Sequence, residues 1–147
     1  MLVPLGVGDF LDRAALVYGD RVALVDEPGV PGSWGSITYT ELQRRAWGMA
    51  RALGDLGVGP GERVAIISPN AARFMCSFWG VSAFGRILVP VNYRLTGEEV
   101  AYIVTHSGAE VVLVDPEYDA AMAAIGGTHR IVLDGSDDAG LWAPSDV

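Results

Sequence analysis

The sequence contains no lysine: all 10 of its cationic side chains are arginine, set against 18 Asp and Glu, for a formal charge of −8. That absence excludes Schiff-base chemistry, a P-loop lysine and any lysine that grips a carboxylate within these residues. The acidic balance argues against nucleic acid, whose recognition through the backbone needs a basic face. It also argues against docking on an anionic membrane surface. The single cysteine, Cys76, excludes an internal disulfide framework and suits a reducing compartment. No apolar run approaches the ~20 residues of a membrane span. The start, Met1 to Asp12, has no cationic stretch followed by a long apolar core, so no signal peptide is read there. Composition therefore predicts a soluble cytoplasmic protein.

What is present is an alternation of helix and strand patterns in 147 residues, half of them hydrophobic. A chain of that length fits one domain and can bury roughly two-thirds of its unfolded surface. Gly8 to Tyr18 reads as a helix, Val22 to Val25 as a short strand, and Ser33 to Tyr39 as part of a hairpin among turn formers Gly29, Pro31, Gly32 and Gly35. Thr40 to Leu56 is predicted helical, with a Thr40–Gln43 capping box and Leu42, Ala46, Met49, Ala50, Leu53 and Leu56 at helical spacing. Arg63 to Ser68 is a continuous apolar strand. Asn70 can cap a helix running to about Phe84, Ile87 to Val91 is a strand, and Thr96 with Glu99 opens a helix to about Ser107. Val111 to Val114 is a strand, Asp115-Pro116 has the form of a helix start, and Arg130 to Leu133 is the last strand. Strand–helix–strand units of this length require crossovers. The class is α/β, a mostly parallel sheet with helices on both faces. Residues 1–134 form that unit, and the acidic 135–147 segment reads as a flexible tail.

The Ala71–Phe84 helix carries more apolar surface than one stripe: Phe74, Phe78 and Val81 share a face, while Met75 and Trp79 point about 100° away. Either these side chains pack beneath the 29–39 hairpin, or they meet another layer of a larger protein, a subunit or a second copy of this chain.

Several motifs fail as chemistry. Gly57, Gly59 and Gly61 follow a helix and precede a strand, the reverse of a dinucleotide loop. Cys76, His106 and Asp115 could be set out as nucleophile, base and orienter. The apolar surroundings of Cys76 would raise its pKa rather than activate it, and His106 can simply meet the last carbonyls of its helix. No His, Cys or carboxylate set has metal-ligand spacing, and Asp137-Asp138 reads as a solvated acidic loop. No catalytic residue and no metal ligand is assigned. The candidate binding residues are Asn92, Tyr93 and Arg94, in a loop at the carboxyl end of the 87–91 strand, where ligands of open α/β sheets gather. The loop feeds a helix N-terminus that can favour an anion. Alternatively, Asn92 and Arg94 brace the turn and pair with Glu98 or Glu99.

Taken in order, Ile37–Leu42, Gly57–Ala65, Ser68–Asn70, Phe78–Gly85, Val89–Thr96, Ser107–Glu110 and Leu113–Asp115 resemble the N-terminal region of adenylate-forming, AMP-binding acyl-CoA synthetases. The Val89–Thr96 stretch looks more like the acyl-CoA ligase branch than the amino-acid-activating domains of peptide synthetases. The resemblance implies the first subdomain of the large N-terminal domain of an acid–CoA ligase, with fatty-acid or related acyl substrates. Such an enzyme uses ATP, magnesium and CoA. The family's phosphate loop, adenine segment, ribose-binding aspartate and catalytic lysine lie downstream of the matched region, so this chain alone is expected to bind none of these and to be inert. The resemblance also places the Asn92–Arg94 loop at a CoA or acyl entrance, and makes the remainder of the ligase the partner that covers the 71–84 helix. A naturally short, non-catalytic module of the same fold, binding a partner protein or ligand, is the other reading.

Overall fold

Four short runs of mostly β-branched residues pair side by side, all in one direction. In the computed structural model, which describes residues 5–123, 125 and 129–146, these are β3 (Arg63–Ile67), β4 (Ile87–Val91), β5 (Val111–Val114) and β6 (His129–Val132), in the order β4-β3-β5-β6. A separate antiparallel hairpin, β1 (Val22–Val25) with β2 (Ser36–Thr38), stands outside that sheet. Helices α1 (Val7–Tyr18), α2 (Tyr39–Asp55), α3 (Ala72–Ser82) and α4 (Gly97–Ser107) complete the elements. Of the amino-terminal stretch and the expected tail, residues 1–4 and 147 lie outside the described residues.

The twofold alternation of strand side chains divides the core. Val64, Ile66, Val111 and Leu113 face α2 and α3, while Ala65, Ile67, Val112 and Val114 face Val100 and Val104 of α4. Both faces of the central strands are therefore covered, which is why Val64–Ile67 and Val111–Val114 are apolar throughout. The α/β class and the helices on both faces are as the sequence predicts.

Four local expectations are corrected. The box opening α2 is Thr38 with Glu41, not Thr40 with Gln43: the Thr38 amide donates to Glu41 at 2.7 Å and the Glu41 amide donates back to the Thr38 hydroxyl at 3.2 Å. Gln43 reaches instead to Asp12 of α1 at 2.7 Å. Helix α3 starts after Ala71 and takes no cap from Asn70. Residues 116–123 form successive turns rather than a helix. Their carbonyls are spent elsewhere, since the Arg130 guanidinium donates to the oxygens of Asp119 and Met122.

The fourth correction concerns residues 135–146. Read from composition as a flexible tail, they lie against the core: Leu141 and Trp142 are buried in the α2–α3 cluster, and the Ser145 amide donates to the Arg44 carbonyl at 3.0 Å. Asp138, expected in a solvated loop, is fully buried and pairs with Arg73 at 2.6 Å. A buried guanidinium needs such an anion, and Asp138 of this segment supplies it.

The apolar excess of α3 is real. Its buried side is Ala72, Arg73, Cys76, Ser77, Gly80 and Val81, so close to α2 that a Cβ on Gly80 would lie 2.9 Å from the Met49 Cβ. Phe74 and Trp79 pack partly against the core, whereas Met75, Phe78 and the following Phe84 remain about two-fifths exposed. Met75 borders Leu24 and Val25 of the hairpin, whose Trp34 turns instead to Trp142, with ring centroids 5.2 Å apart.

Candidate ligand site at the strand ends

The chain passes from β3 to β4 on one side, then crosses back over β3 to reach β5, so its direction reverses between β3 and β5. In open α/β sheets that reversal opens a crevice beyond the carboxyl ends of the strands. Here it is a cavity of about 320 Å³, bordered by Ser68 and Asn70 after β3, Asp115 and Glu117 after β5, and Asp26 and Glu27 from the hairpin. Asp26 decides its character. One carboxylate oxygen accepts the Ala72 amide at 3.0 Å and the other accepts the Trp34 amide at 3.0 Å. The α3 N-terminus, where a phosphate could otherwise rest, already holds a protein carboxylate. Arg73, the cation in this wall, is committed to Asp138 and to the Gly32 carbonyl. With four carboxylates and no free cation among its described lining residues, the crevice does not fit a polyphosphate.

The Asn92–Leu95 turn sits at the end of the edge strand β4, one strand away from the reversal. The Asn92 side chain accepts the Arg94 amide at 3.0 Å, bracing the turn. Tyr93 packs on Tyr118 with centroids 5.3 Å apart, and the Arg94 guanidinium lies 5.4 Å from the Tyr93 ring centroid. Among the described residues Arg94 makes no ion pair with Glu98 or Glu99. The start of α4 is served internally: the Thr96 amide donates to Glu99 at 2.8 Å, and Glu98 and Glu99 both occupy the first turn. The arrangement presents an amide, two phenols and a guanidinium on the outer edge of the sheet. Tyr118 is the member that sequence reading missed; its only signal was its place just beyond the end of β5. Partial burial first, then Glu117, Tyr93 and Asp115, hold its phenol above the ordinary value of 10.0. It stays protonated at neutral pH and can donate a hydrogen bond.

The other combinations do not assemble. Cys76 is buried on the α2–α3 side, and desolvation pushes its thiol well above the ordinary range. His106 lies across the sheet at the end of α4, stacked on Tyr102 at 5.6 Å. The glycines at 57, 59 and 61 join α2 to β3, and Gly57 takes φ 84°, the left-handed conformation of a helix stop. Among the described residues no three His, Cys, Asp or Glu side chains gather as a metal site. None of their helices is long and apolar enough to cross a membrane.

Against known proteins, the family pattern described as "AMP-binding enzyme" matches residues 11–143. The chain belongs to that family. Within the AMP-binding family, it is 36% identical over 135 residues to a long-chain-fatty-acid–CoA ligase of Thermus thermophilus, a match spanning 88% of this chain and 25% of that protein. It is 39% identical over 111 residues to an acetate/butyrate–CoA ligase of Arabidopsis thaliana, spanning 74% of this chain and 18% of that one. The crystal structure of the N-terminal domain of FACL13 from Mycobacterium tuberculosis superposes with TM-score 0.85 at 29% identity, over 98% of this chain and 38% of that one. The chain thus spans a quarter or less of the length of these curated relatives. The family match includes Leu141 and Trp142, in keeping with their place in the core.

Proposed function

We propose that this chain is the N-terminal layer of an ATP-dependent acid–CoA ligase acting on a fatty or related acyl acid in the cytoplasm. The observation that carries this reading is the family match over residues 11–143 together with relatives that are themselves CoA ligases. In that reaction ATP and the acid give an acyl-adenylate and pyrophosphate, then the CoA thiol displaces AMP; ATP, with its magnesium, and CoA enter as substrates. The 147 residues alone are inert. They hold no lysine, and the strand-end crevice meets a triphosphate with carboxylates rather than cations. This layer supplies shape: a two-faced sheet, and an apolar outer side of α3 that the remainder of the ligase covers. Asn92, Tyr93 and Arg94, joined by Tyr118, border the entrance for CoA or the acyl group.

The purified chain, given ATP, magnesium and a panel of fatty and aryl acids, releases no pyrophosphate; measurable turnover would remove the inert-scaffold reading. In a longer protein that contains this chain, Asn92→Ala and Arg94→Ala raise the KM for CoA or for the acid with little change in kcat. Unchanged constants for both would exclude the entrance role. The reading of the chain as a short binding module would gain if residues 1–147 prove to be the whole gene product and capture a protein partner through α3.

A further inference from the structure

Away from the strand ends, a cavity of about 370 Å³ opens between the hairpin loop and the 135–144 segment, walled by Trp34, Arg45, Arg73, Asp138 and Trp142. Its charges are unevenly matched. Asp138 is saturated: it accepts Arg73 Nε at 2.6 Å, Trp142 Nε1 at 2.6 Å and the Gly135 amide at 2.7 Å. Arg73 is equally committed, giving a second N–H to the Gly32 carbonyl. Arg45 is not. Its guanidinium sits 4.4 Å from the Trp34 ring centroid, yet it makes no ion pair with a described residue, and its buried Nε–H has no acceptor among them. The acids that might serve it are engaged elsewhere. Glu41, one turn earlier on α2, feels the charge of Arg45 but its carboxylate is hydrogen-bonded to the Thr38 amide, and Asp146 pairs with Arg44 at 2.8 Å.

A partly exposed guanidinium with open donors, beside a flat indole and at the edge of a cavity, is the arrangement that recognises a planar or tetrahedral oxyanion. The cavity wall itself holds two guanidinium groups and one buried carboxylate, and that carboxylate is hydrogen-bonded to Arg73, not to Arg45. We propose that this cavity is an oxyanion site, in which Arg45 holds the carboxylate or phosphate group of a small molecule and Trp34 forms its apolar wall. The site is separate from the strand-end residues and does not depend on the ligase reading. The volume has room for more than a bare ion.

The test is a titration of the ¹⁵N-labelled chain with inorganic phosphate and, separately, with acetate, each at constant ionic strength balanced by chloride. Arginine Nε–H and tryptophan indole signals are followed, with the Arg45 signal identified by its loss in Arg45→Gln. Saturable shifts of Arg45 and Trp34 with either anion, absent in Arg45→Gln and weakened about tenfold in Arg45→Lys, support the site. A response to phosphate alone assigns phosphate esters, and to acetate alone carboxylates. Should Arg45→Gln lose its native circular dichroism, Arg45→Lys and Trp34→Phe decide. Absence of any saturable shift in the wild-type chain, or an unchanged affinity in natively folded Arg45 variants, overturns the proposal.

Discussion

The carboxylate of Asp26 accepts the backbone N–H of Ala72 at 3.0 Å, across 46 positions of sequence. A hairpin residue thus caps a helix whose own N-cap is an alanine. The same carboxylate holds the Trp34 amide, so one side chain fixes the hairpin, the loop at its tip and the start of α3 together. Replacing a capping oxygen typically costs about 1–2 kcal/mol. Asp26→Ala is expected to lower the unfolding free energy by at least that amount, read as a shift in the urea midpoint at unchanged m-value. A change below about 0.3 kcal/mol would mean the cap is idle in solution.

Asp138 carries a larger share. Removing one partner of a buried ion pair commonly costs about 3–5 kcal/mol, because the other charge is left in the core. Asp138→Ala should therefore destabilise the chain more than Asp26→Ala does. The double change Arg73→Leu with Asp138→Leu should cost clearly less than the sum of its single changes, since neither charge is stranded. Equilibrium urea unfolding of the four proteins measures this coupling.

Glycine to alanine inside a helix usually stabilises, by up to about 1 kcal/mol. Gly48 should reverse that sign. It is buried on α2, and a Cβ there would run into the backbone carbonyl of Ala143, which cannot swing aside as a side chain tip does. Gly48→Ala is expected to destabilise by about 1–3 kcal/mol and to expose Trp142, seen as a red shift of the emission of the folded protein.

Two capping carboxylates contribute to the acid response. Glu41 and Glu99 lie below their ordinary value of 4.5, first because each accepts the backbone N–H of its threonine, Thr38 or Thr96, and then through that threonine's hydroxyl. A carboxylate with a depressed pKa in the folded state stabilises above its unfolded value and loses that contribution as pH falls through the folded one. Melting temperature should therefore drop from about pH 4.5 downward, and drop less in Glu41→Gln/Glu99→Gln, which starts lower at neutral pH. Parallel curves for the two proteins would refute the assignment.

The features legible in the sequence were those whose causes are local. The apolar strands at 63–67 and 111–114, the Thr96–Glu99 box and the stop at Gly57 all follow from residues within a few positions of one another. The misreadings share the opposite property. Thr38 and Thr40 both precede an apolar run, and where β2 ends decided between them. Asn70 lost the α3 cap to Asp26, and the turns after Pro116 owe their form to Arg130. The acidic composition of residues 135–146 concealed Asp138 and Trp142, whose burial depends on Arg73, 65 positions earlier. At the candidate site, the loop after β4 was visible as a strand end, while Tyr118 and the crevice between β3 and β5 required the strand order.

The pairing of Arg73 with Asp138 also imposes a schedule on synthesis. A ribosome delivers Arg73 and all of α2 and α3 long before residues 138–142 emerge. Until they do, the nascent layer can gather its helices only around an unanswered guanidinium, with the Trp34 face bare. That part of its core closes only when residues 138–142 arrive, and the vulnerable interval for proteolysis or chaperone capture spans the sixty-five additions between Arg73 and Asp138.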